Sequence, residues 1–123
     1  MPGDVFFPVT HEALAPGVPS ITGERGIDLR AQPVVRELER GRRQVVQNDC
    51  RAASADPAFQ RMLDAFGGLA AQIVTPVFVD GRLSAILSLH QLGSRRTWSD
   101  REIALAAAAG EEVRVLVEAG RAA

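Results

Sequence analysis

Two residues, Asp80-Gly81, constrain this chain more than any others, because they join two β-rich runs of similar length. The first run is Gln72-Ile73-Val74-Thr75-Pro76-Val77-Phe78-Val79, and the second is Arg82-Leu83-Ser84-Ala85-Ile86-Leu87-Ser88-Leu89-His90. Both central residues of a type I′ turn need positive φ, which Gly adopts freely and Asp tolerates, so the spacing predicts a β-hairpin with a two-residue turn. That turn sets Val79 opposite Arg82, Val77 opposite Ser84, Thr75 opposite Ile86 and Ile73 opposite Ser88. Side chains alternate across each strand. One face then carries Val74, Pro76, Phe78, Leu83, Ala85, Leu87 and Leu89, all apolar, and is expected to pack against helices. The other carries Ile73, Thr75, Val77, Arg82, Ser84, Ile86, Ser88 and His90. This mixed face is either solvated or the floor of a pocket with a few hydrogen-bonding groups among apolar walls.

A polar link from Gln91 to Thr97 leads to Trp98-Ser99-Asp100-Arg101-Glu102. Ser99 can cap a helix while Glu102, three positions on, reaches back to close a capping box. The helix it starts runs to about Ala119, with Ile103, Ala106, Ala107, Gly110, Val113 and Val117 near heptad spacing and Leu105, Ala109 and Leu116 widening the stripe. Two readings follow. The helix packs only on its own sheet, or its surplus apolar surface meets a partner helix. The width of the arc favours a homodimer through Ile103, Ala107, Gly110, Val113 and Val117.

Upstream, Val5 to Thr10 reads as a strand with Pro8 at an edge or bulge, and Ala15 to Gly26 as an irregular loop. Pro33 suits a helix start, with Val34, Val35 and Leu38 on one side and Gly41 as a stop. Gln44 to Gln47 is a short strand released by Asn48-Asp49, and Cys50 falls in the loop that follows. Asp56-Pro57 opens another helix, in which Phe59, Met62, Leu63 and Phe66 recur at helical spacing before Gly67-Gly68 ends it. Asp49 reads as a turn residue that accepts a hydrogen bond from the backbone two positions on.

A chain of 123 residues suffices for a single core, and 46% hydrophobic with 24% charged residues is an ordinary globular composition. The net charge of −1 argues against a nucleic-acid-binding surface. Arg40, Arg42 and Arg43 cluster beside Glu37 and Glu39 and read as a solvated helix end. No apolar run approaches the roughly 20 residues that a membrane span requires. No secretory signal stands at the N-terminus, and a cytoplasmic location is expected. Lysine is absent, which removes Schiff-base chemistry and the lysine of a Walker loop, and tyrosine is absent as a general acid. One cysteine, Cys50, permits no internal disulfide and no multi-cysteine zinc site, and reads as a small, semi-buried residue. An intermolecular Cys50 disulfide, used as a redox sensor, is a third possibility. No Ser-His-Asp order, metal-ligand spacing or glycine-rich phosphate cradle is present, so the chain is not expected to be an enzyme or to hold a metal.

Taken in order, these segments resemble a GAF domain. The strand ending Val46-Gln47-Asn48-Asp49, the helix from Asp56-Pro57 to Gly67-Gly68, the hairpin from Ile73 to His90, and Arg96-Thr97-Trp98-Ser99-Asp100-Arg101-Glu102-Ile103 are similar to that family's successive elements. The likeness is good from Val34 to Glu118 and weaker before. It implies an α+β fold: an antiparallel central sheet, helices packed mainly on one face, and a small-molecule pocket on the other. It also implies that an N-terminal helix, and a first strand with it, are missing from a single domain spanning residues 1–123. By resemblance, Ile86, Ser88 and His90 look into the pocket, with Thr75 and Ser84 beside them. His90 is otherwise a partly exposed strand-end histidine. Bilin-binding relatives place a Cys-His pair where Pro57-Ala58-Phe59-Gln60 stands, so covalent bilin is not expected; the cofactor is otherwise unspecified. The related methionine sulfoxide reductases use several cysteines, which this chain lacks. The resulting expectation is a regulatory module binding an unidentified small molecule in signal transduction or transcriptional control. Its counterpart is a GAF-like dimerisation scaffold whose pocket is filled by its own side chains.

Overall fold

The structure, a computed structural model, describes residues 32–122. The strand expected at Val5 to Thr10, the loop to Gly26 and the expectation of a missing first helix and strand lie outside the described residues. Helix α1, Pro33–Gly41, starts on a proline whose φ is already helical and ends where Arg42 turns left-handed at φ 56, its N–H donating to the Leu38 carbonyl. Strand β1, Val45–Gln47, is followed by a single turn of helix, α2, Cys50–Ala53. Helix α3, Pro57–Ala65, is capped by Asp56, whose Oδ1 accepts from the Ala58 N–H at 2.8 Å. Strands β2, Leu69–Val79, and β3, Arg82–Leu92, form the hairpin, and helix α4, Asp100–Ala122, closes the described chain. The sheet runs β1-β2-β3, antiparallel throughout.

The Asp80-Gly81 turn forms as expected, with φ of 53 and 77. The register beyond it does not follow the simple count. Phe78 pairs with Leu83 but Val77 pairs with Ala85, so Ser84 is an extra residue, a β-bulge. From there on Pro76 faces Ile86, Thr75 faces Leu87, Val74 faces Ser88 and Gln72 faces His90. The sequence expectation of Thr75 opposite Ile86 and Ile73 opposite Ser88 is therefore corrected by one residue. A one-residue slip moves every later side chain to the other face. A second irregularity on β2, between Leu69 and Ala71, returns Leu69 to pair with Leu92.

The bulge thus builds two faces that differ from the expected ones. Val74, Leu69, Leu83, Ile86 and Leu92 meet Val34 and Leu38 of α1, Cys50 of α2, and Phe59, Met62, Leu63 and Phe66 of α3 in the larger core. Ala71 and Ile73, on the opposite face, pack with Trp98 and with Ile103 and Ala106 of α4. The sheet is therefore covered on both sides, by three short helices on one and the long one on the other.

At the start of α4 the capping box forms: Glu102 N–H donates to Ser99 Oγ at 3.1 Å and Ser99 N–H donates to Glu102 Oε1 at 2.9 Å. That backbone bond and the ion pair with Arg96 hold the Glu102 carboxyl below the usual range. Trp98 ties this corner to β1, its indole N–H donating to the Gln47 carbonyl and its backbone N–H to Asn48 Oδ1. Two local expectations are corrected. Cys50 sits in α2 and is fully buried, not half-buried in a loop. Asp49, at the N-cap position of α2, makes no side-chain cap bond; its carboxylate lies 3.8 Å from Arg95 instead.

Candidate functional site

Three of the five residues expected at a ligand site share one face: Ile86, Ser88 and His90 alternate along β3 on the side of α1–α3. Ile86 packs against the larger core, and Ser88 is exposed opposite Val74. His90 stacks on Phe66, the residue that closes α3, with ring centroids 6.0 Å apart and planes at 24°. Burial pushes the His90 imidazole down to about 4, so at neutral pH it carries one donor and one acceptor nitrogen and no charge. Neither nitrogen has a hydrogen-bond partner among the described residues. Beside it, Gln72 donates to Gln47 Oε1 at 2.8 Å across β1 and β2, adding a fixed pair of amides to the same face.

The other two expected residues are not part of this group. Thr75 points to the opposite face, is 5% exposed, and accepts a hydrogen bond from Gln44 Nε2 at 3.0 Å. The same Gln44 amide donates to the Ile103 carbonyl at 3.1 Å, so Gln44 links β2 to α4. Ser84 is the bulge residue, and its hydroxyl donates to the Arg82 carbonyl at 3.1 Å. Phe66 was legible only as core from its helical spacing; its position at the end of α3, beside the strand that carries His90, came from the fold.

The residues expected at a dimer contact also divide. Ile103 packs into the chain's own second core, and Gly110 is buried against Thr75. Val113 and Val117 are half-buried and Ala107 is exposed. The outward side of α4 instead shows Leu105, Val115 and Leu116, at 58%, 52% and 71% exposure.

Sequence reasoning also passed over a groove of about 410 Å³ beside the edge of β2. Arg42, Arg43 and Gln44, read from the sequence as a solvated helix end and a strand start, form one side of it, and Ala107, Gly110, Glu111 and Arg114 of α4 the other. Among the described residues no group of three or more His, Cys, Asp or Glu side chains could hold a metal ion, and no helix is long and apolar enough to cross a membrane.

Known proteins give this geometry a context. The GAF domain profile matches residues 5–117. No curated protein matches the chain. Among solved structures, the cyanobacteriochrome receptor PixJ superposes with a TM-score of 0.72 at 24% identity, over 86% of this chain and 70% of that one. GAF3 from Slr1393 of Synechocystis sp. PCC6803, in its photoproduct state, gives 0.65 at 26% identity, over 90% and 75%. The phycocyanobilin-bound GAF domain of a cyanobacterial phytochrome gives 0.66 at 19% identity, over 86% and 63%.

Proposed function

This chain belongs to the GAF domain family, and on that premise we propose that it is a sensory or regulatory module that binds a small molecule non-covalently on the α1–α3 face of its sheet. Domains of this family are generally non-catalytic sensors. The observation that carries the ligand reading is His90: a neutral imidazole stacked on Phe66, its nitrogens unpartnered among the described residues, in line with Ser88 and Ile86. A flat ring and an adjacent hydroxyl suit a ligand with an aromatic or conjugated body and one or two polar groups. Phycocyanobilin, held by the phytochrome relative, is a ligand of that general kind. Covalent attachment is not part of the proposal. Pro57-Ala58-Phe59-Gln60 offers no thiol, and Cys50 is buried with its thiol pushed up to about 11. The cytoplasm is the proposed compartment, in keeping with a single reduced thiol.

Signalling in this proposal is a population shift carried through the sheet. Val74 faces Ser88 on the ligand side, and its neighbour Thr75 touches Gly110 of α4 on the other. A ligand that favours one position of β2 therefore favours one seat for α4. The test is native mass spectrometry of the purified chain beside a Ser88→Val, His90→Phe double variant. The wild-type chain is expected to carry a non-covalent mass that the folded double variant lacks; an equal adduct on both sinks the site.

A second reading, a scaffold that pairs with another copy of this chain through α4, is favoured by the exposure of Leu105, Val115 and Leu116. The two readings are compatible, because the ligand face and this face of α4 lie on opposite sides of the sheet.

A further inference from the structure

We propose that the groove between the edge of β2 and α4 is a second ligand site, one that takes a small organic anion: a carboxylate or phosphate on a flat apolar body. Strand β1 begins only at Val45, opposite Val74, so β2 from Thr75 to Phe78 has no strand beside it on that side among the described residues. The resulting groove, about 410 Å³, is of the size that holds small molecules. Pro76, Val77, Phe78 and Ala107 give it apolar lining.

Charge decides the class of ligand. Three arginines line the groove, Arg42, Arg43 and Arg114, against one acidic residue, Glu111, in a chain whose net charge is −1. Their states differ. Arg114 is committed, bonded to both Glu111 and Glu118. Arg42 is held in place, its guanidinium 4.1 Å above the Phe78 ring and donating to the Gly81 carbonyl at 3.3 Å. Arg43 is exposed and makes no ion pair or hydrogen bond among the described residues. One fixed and one unspent guanidinium, adjacent in sequence, present a fork of N–H donors that matches a carboxylate or phosphate. The Arg42–Phe78 stack beside them supplies the flat surface on which an aromatic body would lie.

An extended peptide is disfavoured as occupant because Pro76, in the middle of the open edge, has no N–H to give to an added strand. The site stands apart from the one proposed around His90, with which it shares no residue, so either can fail without the other. Because Ala107 and Gly110 line the groove, an occupant there bears directly on the seat of α4.

Phenyl phosphate is a suitable probe, titrated into the isotope-labelled intact chain while backbone amide and arginine Nε signals are followed by NMR. The expected result is a saturable shift centred on Arg42, Arg43 and Gly110 rather than on His90, and no response to benzyl alcohol. Arg43→Gln, at an exposed side chain whose loss leaves folding intact, should weaken binding about tenfold, the loss of one charge-assisted hydrogen bond. Arg101→Gln, an equal charge change elsewhere on the surface, should leave it unchanged. Any of three results overturns the proposal: shifts that rise without saturation at arginines in general, equal affinity in Arg43→Gln, or a response centred on His90 and Phe66.

Discussion

Burial acts on His90 and Cys50 in the same sense, favouring the neutral form of each: the imidazole is pushed down to about 4 and the thiol up to about 11. For Cys50 this opposes the redox-sensor possibility, since an intermolecular disulfide needs an accessible thiolate and this sulfur is fully buried. For His90 it produces a pH dependence whose sign can be worked out. The unfolded chain takes up a proton near 6.5, whereas the folded chain resists until about 4. The contribution of neutral His90 to stability is therefore complete above pH 6.5, lost as pH falls towards 4, and flat below that. The loss amounts to at most roughly 3 kcal/mol. Urea midpoints measured from neutral pH down to 4 should fall less steeply in His90→Phe, which keeps a ring against Phe66 without the titrating group. Identical slopes in the two proteins would count against a buried neutral histidine.

Between elements, α4 approaches β2 closely at Gly110. A Cβ there would lie 2.6 Å from Thr75 Cγ2, and Thr75 is held by Gln44 and buried, so it has little room to yield. Gly→Ala in a helix interior ordinarily gains about 1 kcal/mol. Overpacking of this kind costs about 1–3 kcal/mol. Gly110→Ala is therefore expected to lower stability, and the same change in a Thr75→Ser background, which removes the obstructing methyl and keeps the hydroxyl, to raise it. Denaturant midpoints for the four proteins decide the point; a change of the same sign in both backgrounds refutes the contact. This pair also shows what the sequence does and does not disclose. The Asp80-Gly81 turn, the Asp56 cap and the Ser99–Glu102 box were legible because each depends on residue types at fixed short spacing. The bulge at Ser84 was not, since an extra residue in a strand leaves no compositional mark in an otherwise alternating run. The small residues of α4 suggested a partner's backbone. Of these, Ala106 and Gly110 face the chain's own β2, which the helical period alone could not distinguish.

Across the whole molecule, the order of elements was enough to indicate an antiparallel α+β domain of the GAF type, but not that helices cover both faces of its sheet. That sandwich leaves the far side of α4 as the largest apolar display on the helix, through Leu105, Val115 and Leu116. Scattered exposed apolar residues are common, whereas three on one helix face form a patch of the kind that marks an interface. A Leu105→Gln, Leu116→Gln double variant should sediment as a monomer under conditions where the wild-type chain is a dimer, with unchanged circular dichroism. Dimers of undiminished affinity in the variant would place the contact elsewhere.

The bulge at Ser84 makes one unpaired residue the choice between two surfaces. Flatten the bulge with the residue kept, so that Val77 pairs with Ser84, and the turn, the caps and every helix could remain, yet Ile86, Ser88 and His90 would trade places with Leu87 and Leu89. Delete Ser84 instead, and Pro76 still faces Ile86 and Val74 still faces Ser88. Among relatives, then, a hairpin of equal length without the bulge is a different binding surface even where each aligned letter is the same, and one shorter by that residue is the same surface.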